Sequence, residues 1–130
     1  MDENLRPALR AAVLFLDQHS YRYAIIGGIA MSHWGAARYT HDVDIKVLVP
    51  DADHTAVRDA LRAAFPERAR QHVPENPLIV AVAIDEVVVD FLLALPGYEE
   101  QIIQRAVWRD FGGWPAKVCS AEDLIIQKAV

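Results

Sequence analysis

One cysteine, Cys119, in 130 residues excludes an internal disulfide, and with no second cysteine there is no pair for a zinc knuckle or a dithiol redox centre. That usage suits a reducing cytosol, and a cytoplasmic location is the expectation. No apolar run approaches the roughly 20 residues that a membrane-spanning helix needs. The N-terminal Met1-Asp2-Glu3-Asn4 is acidic and Arg6 and Arg10 interrupt the apolar run behind it, unlike a secretory signal. Internal repeats, Gly/Ser linkers and blocks of like charge are missing too, so no appended module is expected. Cations are scarce: thirteen Lys and Arg stand against eighteen Asp and Glu, a net charge of −5. This excludes a generally basic surface that coats a duplex through its phosphates and leaves only a local patch.

A hydrophobic share of 53% with 24% charged residues is that of a folding chain, and the length predicts one domain over residues 1–130. Leu5, Leu9, Ala12, Val13 and Leu16 recur at helical spacing, with Pro7 in the first turn. Tyr23-Ala24-Ile25-Ile26 reads as a buried strand broken at Gly27-Gly28, and Ile29 to Trp34 as a short helix ended by Gly35. A β-branched strand runs from Asp42 to Val49 and stops at Pro50; a helix follows from about Ala52 to Phe65, closed by Pro66. Leu78–Ile84 and Val87–Leu93 form a hairpin about Asp85-Glu86. Ile102, Ile103 and Ala106 suggest a helix, Ala116–Cys119 a short strand, and Ser120-Ala121-Glu122-Asp123 a capped helix start. The last helix is still in phase at Val130, so the chain is expected to be cut at its C-terminus. The fold class is therefore α/β, a small mixed sheet flanked by helices.

Asp42 and Asp44, two apart on one strand, point to the same face. At roughly 4 Å two such charges repel by about 4 kcal/mol at an effective dielectric of about 20, so a cation normally accompanies them. A solvated strand edge is the plain alternative. Asp90 sits within Val87-Val88-Val89-Asp90-Phe91-Leu92-Leu93, where an uncompensated charge is expensive. It is either a hydrogen-bonded core carboxylate or a third ligand beside Asp42 and Asp44, and oxygen-only ligands suit magnesium or manganese rather than zinc. Gly27-Gly28 between strand and helix lets backbone amides approach an anion, or makes a tight structural turn. The five histidines lack metalloprotease spacing and read as structural or solvated, with His41, beside Asp42, the one near the acids. Trp34, Trp108 and Trp114 read as core or partner contacts rather than a stacking platform.

Taken together, Gly27-Gly28, a short helix, Arg38-x-Thr40-x-Asp42-Val43-Asp44-Ile45 and the later Asp90 resemble the nucleotidyltransferase fold of the DNA polymerase beta superfamily. The Arg-x-Thr-x-Asp-x-Asp form and the closing segment Ser120 to Lys128 are most similar to bacterial toxin-type, AbiEii-like enzymes and other minimal nucleotidyltransferases. The resemblance implies that Asp42, Asp44 and Asp90 are catalytic and hold Mg2+ or Mn2+, Asp90 nearest the attacking group. It implies that Gly27 and Gly28 cradle the triphosphate and that Lys128 lies near the phosphates, against its reading as a solvated helix lysine. Arg38 and Thr40 either bind phosphate or tie the metal loop. Gly-Gly departs from the superfamily's commoner Gly-Ser and removes a hydroxyl from the phosphate loop.

The expected activity is metal-dependent transfer of an NMP from a nucleoside triphosphate, ATP among them, to an acceptor hydroxyl on an RNA end such as tRNA or on a protein side chain. Arg68, Arg70, Arg105 and Arg109 are candidates for an acceptor patch, and the resemblance to toxins implies an antitoxin partner. The rival reading is a non-catalytic nucleotide-sensing or partner-binding module of the same fold.

Overall fold

The structure, a computed structural model, describes residues 3–35, 41–67 and 76–129, the last three without their side chains. The elements in chain order are α1 (Leu5–Gln18), β1 (Tyr23–Ile26), α2 (Gly27–His33), β2 (Val43–Val47), α3 (His54–Ala64), β3 (Ile79–Ile84), β4 (Val87–Leu93), α4 (Tyr98–Gln104), β5 (Val107–Asp110), β6 (Pro115–Val118) and α5 (Ala121–Ala129). Among the described residues the strands join into one mixed sheet of order β3-β4-β2-β1-β6-β5. No helix among them is long and apolar enough to cross a membrane.

Local chemistry sets most of these boundaries. Leu5, Leu9, Ala12, Val13 and Leu16 form the buried stripe of α1. The Asp53 side chain caps α3 by accepting from the Ala56 amide at 3.1 Å, and α3 stops where Phe65, ahead of Pro66, turns extended. Asp85 and Glu86 both adopt positive φ (49° and 67°), the twist a two-residue hairpin loop needs. Two expectations shift. The helix expected from Ile29 begins at Gly27 itself, and the strand β5 was not anticipated because all four of its residues are exposed and show no inward-outward alternation.

Alternation along β2 divides the sheet into two faces. Val43, Ile45 and Val47 are fully buried on the face that carries α1 and α3. There the rings of Phe15 and Phe65 (5.5 Å between centroids) and of Phe65 and Phe91 (6.5 Å) chain α1, the end of α3 and β4 together. Asp44 and Lys46 look the other way, and α4 is fixed on that face by the Lys46 Nζ to Glu99 Oε1 ion pair at 2.9 Å. Phe91 is 0% exposed at the junction of these layers. Phe91→Ala is expected to lower unfolding free energy by about 3–5 kcal/mol, read from the urea midpoint at unchanged slope.

Candidate active site

The site is built at one end of β2, between β1 and β4. Register sets Asp44 opposite Ile26 on the antiparallel β1 and opposite Asp90 on the parallel β4. Parallel partners lie about 4.8 Å apart and point to the same face, so the Asp44 and Asp90 carboxylates are neighbours. Asp90 is 5% exposed, Asp44 is half-buried, and Asp42, one residue ahead of β2, is exposed. The sequence-predicted trio is therefore brought together in part: Asp44 and Asp90 are adjacent, whereas Asp42 stands at the rim. Among the described residues no three His, Cys, Asp or Glu side chains converge as a ready cation shell.

Gly27 completes the edge. It opens α2 with φ +68°, and a Cβ built there would lie 2.5 Å from Asp44 Oδ2. Any side chain at position 27 would occupy the space of that carboxylate. The glycine turn and the Asp44 carboxylate are thus in contact, and Gly28 continues the helix start beside them. At the other end of α2, Gly35 (φ +95°) ends the helix with its amide on Ser32 O.

Lys46, at the next same-face position of β2, is 7% exposed. Glu99, which also accepts from the Leu95 amide, neutralises it. A second buried charge, Asp123 at 2% exposure, organises the start of α5. Its carboxylate accepts from Arg105 Nε (3.0 Å) and a second guanidinium nitrogen (2.6 Å), from Ser120 Oγ (3.0 Å) and from Tyr98 OH (3.4 Å). The Asp123 amide in turn donates to Ser120 Oγ at 3.1 Å, so Ser120 is the cap that the sequence suggests. Trp34 Nε1 donates to Cys119 O at 2.9 Å and joins the end of α2 to the same corner.

The remaining expectations divide. Arg38, Thr40, Arg68 and Arg70 lie outside the described residues, as does the Lys128 side chain, although Lys128 belongs to α5. Arg105 is an internal tie to Asp123 rather than a free acceptor contact, and Arg109 donates to His33 Nε2 at 2.7 Å. His41 is exposed beside Asp42. Sequence reasoning missed the Lys46–Glu99 and Arg105–Asp123 pairs. The signal for the first was a lysine in phase with Asp44 on an otherwise apolar strand, which demands a carboxylate.

A family model, the nucleotidyl transferase AbiEii toxin of type IV toxin–antitoxin systems, matches residues 8–130. The chain belongs to the AbiEii family. Two solved structures share the fold of this AbiEii chain. A protein from Thermotoga maritima assigned as a nucleotidyltransferase superimposes with a TM-score of 0.70 at 17% identity, over 98% of this chain and 83% of that one. ANT(2")-Ia, crystallised with adenylyl-2"-tobramycin, gives 0.58 at 20% identity, over 93% of this chain and 72% of that one. No curated protein matches the chain. The AbiEii assignment agrees with the resemblance carried by the glycine pair, the Asp-x-Asp strand and the Ser120–Lys128 segment.

Two outcomes follow from this geometry. Gly27→Ala forces its methyl into Asp44 in a strained left-handed conformation, so urea stability should fall by more than in Gly35→Ala, which is strained at positive φ but meets nothing within 4 Å. The Arg105 guanidinium, assisted by Ser120 and Tyr98, holds the Asp123 carboxyl below the usual carboxylate range against the opposing pull of burial. A depressed folded-state value stabilises above the unfolded value of about 4 and is lost as pH falls through the lower folded one. Asp123→Asn should therefore lower Tm at pH 7, with the gap to the parent chain closing as the melts are taken below about pH 4.

Proposed function

We propose that this AbiEii-family chain is a magnesium- or manganese-dependent nucleotidyltransferase that moves an NMP from an NTP to the terminal hydroxyl of an acceptor RNA such as tRNA, and that its cellular counterpart is an antitoxin. The observation that carries the proposal is the register that seats Asp44 beside Asp90, with Gly27 held open against Asp44.

The donor set fits a hard divalent ion: two carboxylates side by side at a strand end, with a third, Asp42, at the rim. Magnesium is ordinarily held by one or two carboxylates plus substrate phosphates and water, so a full protein cage is not required. A bound ion there supplies charge neutralisation for the triphosphate and the leaving pyrophosphate. The chain's own groups do the rest. Backbone amides at Gly27-Gly28 receive phosphate oxygens at the start of α2. Asp44 and Asp90 would hold the ion whose charge draws the α-phosphate to the sheet edge, and Asp90, the more enclosed, stands beside the acceptor hydroxyl and draws off its proton. The acceptor oxygen then bonds to the α-phosphorus as the bond to pyrophosphate breaks. Arg38 and Thr40, just ahead of the acids, and Lys128 on α5 are assigned to the phosphates.

The testing experiment incubates the chain with each α-labelled NTP, magnesium and bulk tRNA, and resolves RNA and protein products separately. Label on RNA is expected, falling about a hundredfold or more in Asp44→Asn and in Asp90→Asn, the scale of losing a charge that acts on the transition state. Label on protein would move the acceptor; label that persists in Asp90→Asn would remove that residue from the reaction. Independently, magnesium with the cognate NTP should raise Tm, as ligand binding at about 100 times Kd stabilises by about 2.7 kcal/mol, and the rise should vanish in Asp44→Asn.

A further inference from the structure

Every tryptophan of this acidic chain carries a cation on its ring: Trp108 and Trp114 belong to the β5–β6 hairpin, and Trp34, at the end of α2, meets it through Arg109. Arg109 sits 4.8 Å from the Trp34 ring centroid, Lys117 sits 5.2 Å from that of Trp108, and Arg10 sits 5.8 Å from that of Trp114. Among the described residues none of these cations is ion-paired to a carboxylate. The neighbouring acid, Asp110, is turned onto the amides of Gly112 and Gly113. In a chain of net charge −5, the hairpin carries a small net positive charge, Arg109 and Lys117 against Asp110.

Among the described residues the edge itself is open. β5 is the last strand of the sheet on this side and all its residues are exposed, Trp108 to 60%. The Phe111 amide bonds to Trp114 O, so by antiparallel alternation Arg109 and Val107 pair inward, and the N–H groups of Trp108 and Asp110 face outward along the free edge. Trp108 and Lys117, opposite each other, share one face of the hairpin; Arg109 stands on the other against Trp34. Following the register from Val118 through Ile25 to Ile45 puts Trp108 and Lys117 on the face that carries Asp44 and Asp90. Three strand spacings, about 14 Å, separate β5 from β2.

An exposed indole beside a lysine without a carboxylate partner and outward amides is the composition that grips a single-stranded polynucleotide: a base stacks on the ring while the cation and N–H groups meet phosphates. A duplex hides its base faces. A protein interface core is depleted of lysine, and here Lys117 lies against the exposed ring of Trp108. We infer that the β5 edge is a docking strip for single-stranded RNA, with Trp108 as the stacking platform, Lys117 as a phosphate contact and the outward amides of Trp108 and Asp110 beside them. It rests on the nucleotidyl-transfer reading above, for which it supplies the surface that holds the acceptor near the acids.

The test measures binding of the full chain to a fluorescein-labelled, uridine-rich RNA of about a dozen nucleotides, within the range of known single-strand sites, by anisotropy across a salt series. Trp108→Ala is expected to weaken binding by about 5- to 100-fold, the loss of one stacked base, while Trp108→Phe keeps it within a few-fold. Lys117→Gln should reduce the salt slope by about one. Trp108 is exposed, so circular dichroism and Tm should match the parent chain. Unchanged affinity in both Trp108→Ala and Lys117→Gln overturns the strip, as does a parent chain that does not bind the RNA, or a strip whose loss abolishes capture of a protein instead. The two readings fail separately. Asp44-dependent label on RNA with an unaltered RNA KM in Trp108→Ala sinks the strip alone. Transfer that ignores Asp44→Asn sinks the catalytic reading, while Trp108-dependent affinity still stands.

Discussion

The parallel ladder between β2 and β4 is the constraint on which the rest of the molecule depends. It pairs Val43, Ile45 and Val47 with Val89, Phe91 and Leu93 on the buried face, and Asp44 with Asp90 on the other. A slip of either strand by one residue would turn its three apolar side chains to the opposite face. Burial of both sets is worth on the order of 10 kcal/mol in sum. The repulsion of two neighbouring carboxylates is about 4 kcal/mol at a comparable separation, so the core outweighs it and dictates the adjacency. The acids are held together from behind, by packing they take no part in, and the closeness that costs stability is what makes the edge fit for a cation and a phosphate.

Two ion pairs extend this arrangement outward. Lys46 is obliged by the same alternation to share the face of Asp44, and burial obliges it to find Glu99, which draws α4 onto the sheet. Arg105, directly after α4, then reaches Asp123 at the start of α5. The helix that bears Lys128 is thus positioned from β2 through two carboxylates and α4, and the helix that follows the glycine turn meets it through Trp34 and Cys119. Charge that looks scattered in the sequence is arranged as a series of ties around the acid edge.

Much of this was legible in the sequence where one physical signal dominated. Tyr23–Ile26 and Val87–Leu93 are strands at their anticipated bounds, because a short apolar run between glycine or acidic turns has few alternatives. The Asp-x-Asp spacing and the lone Asp90 pointed to one another, yet only register could say that Asp44, not Asp42, is the immediate neighbour. β5 escaped because an exposed edge strand carries no alternation, and Gly27 hid a helix start because its positive φ looks like a breaker until the carboxylate of Asp44 is seen to need the space. Arg105 read as part of an acceptor patch for the same reason that Asp123 read only as the acid in the first turn behind the Ser120 cap. Each has its meaning in a partner eighteen positions away.

Cys119 lends this corner a use of its own. It is the single thiol of the chain, wholly buried where β6 gives way to α5, with its carbonyl taken by Trp34. An alkylating reagent can reach the sulfur only when that junction opens, so the rate of modification is a clock for local opening that needs no engineered label. Run with and without nucleotide, the clock would time how firmly the sheet edge grips the two helices that border it.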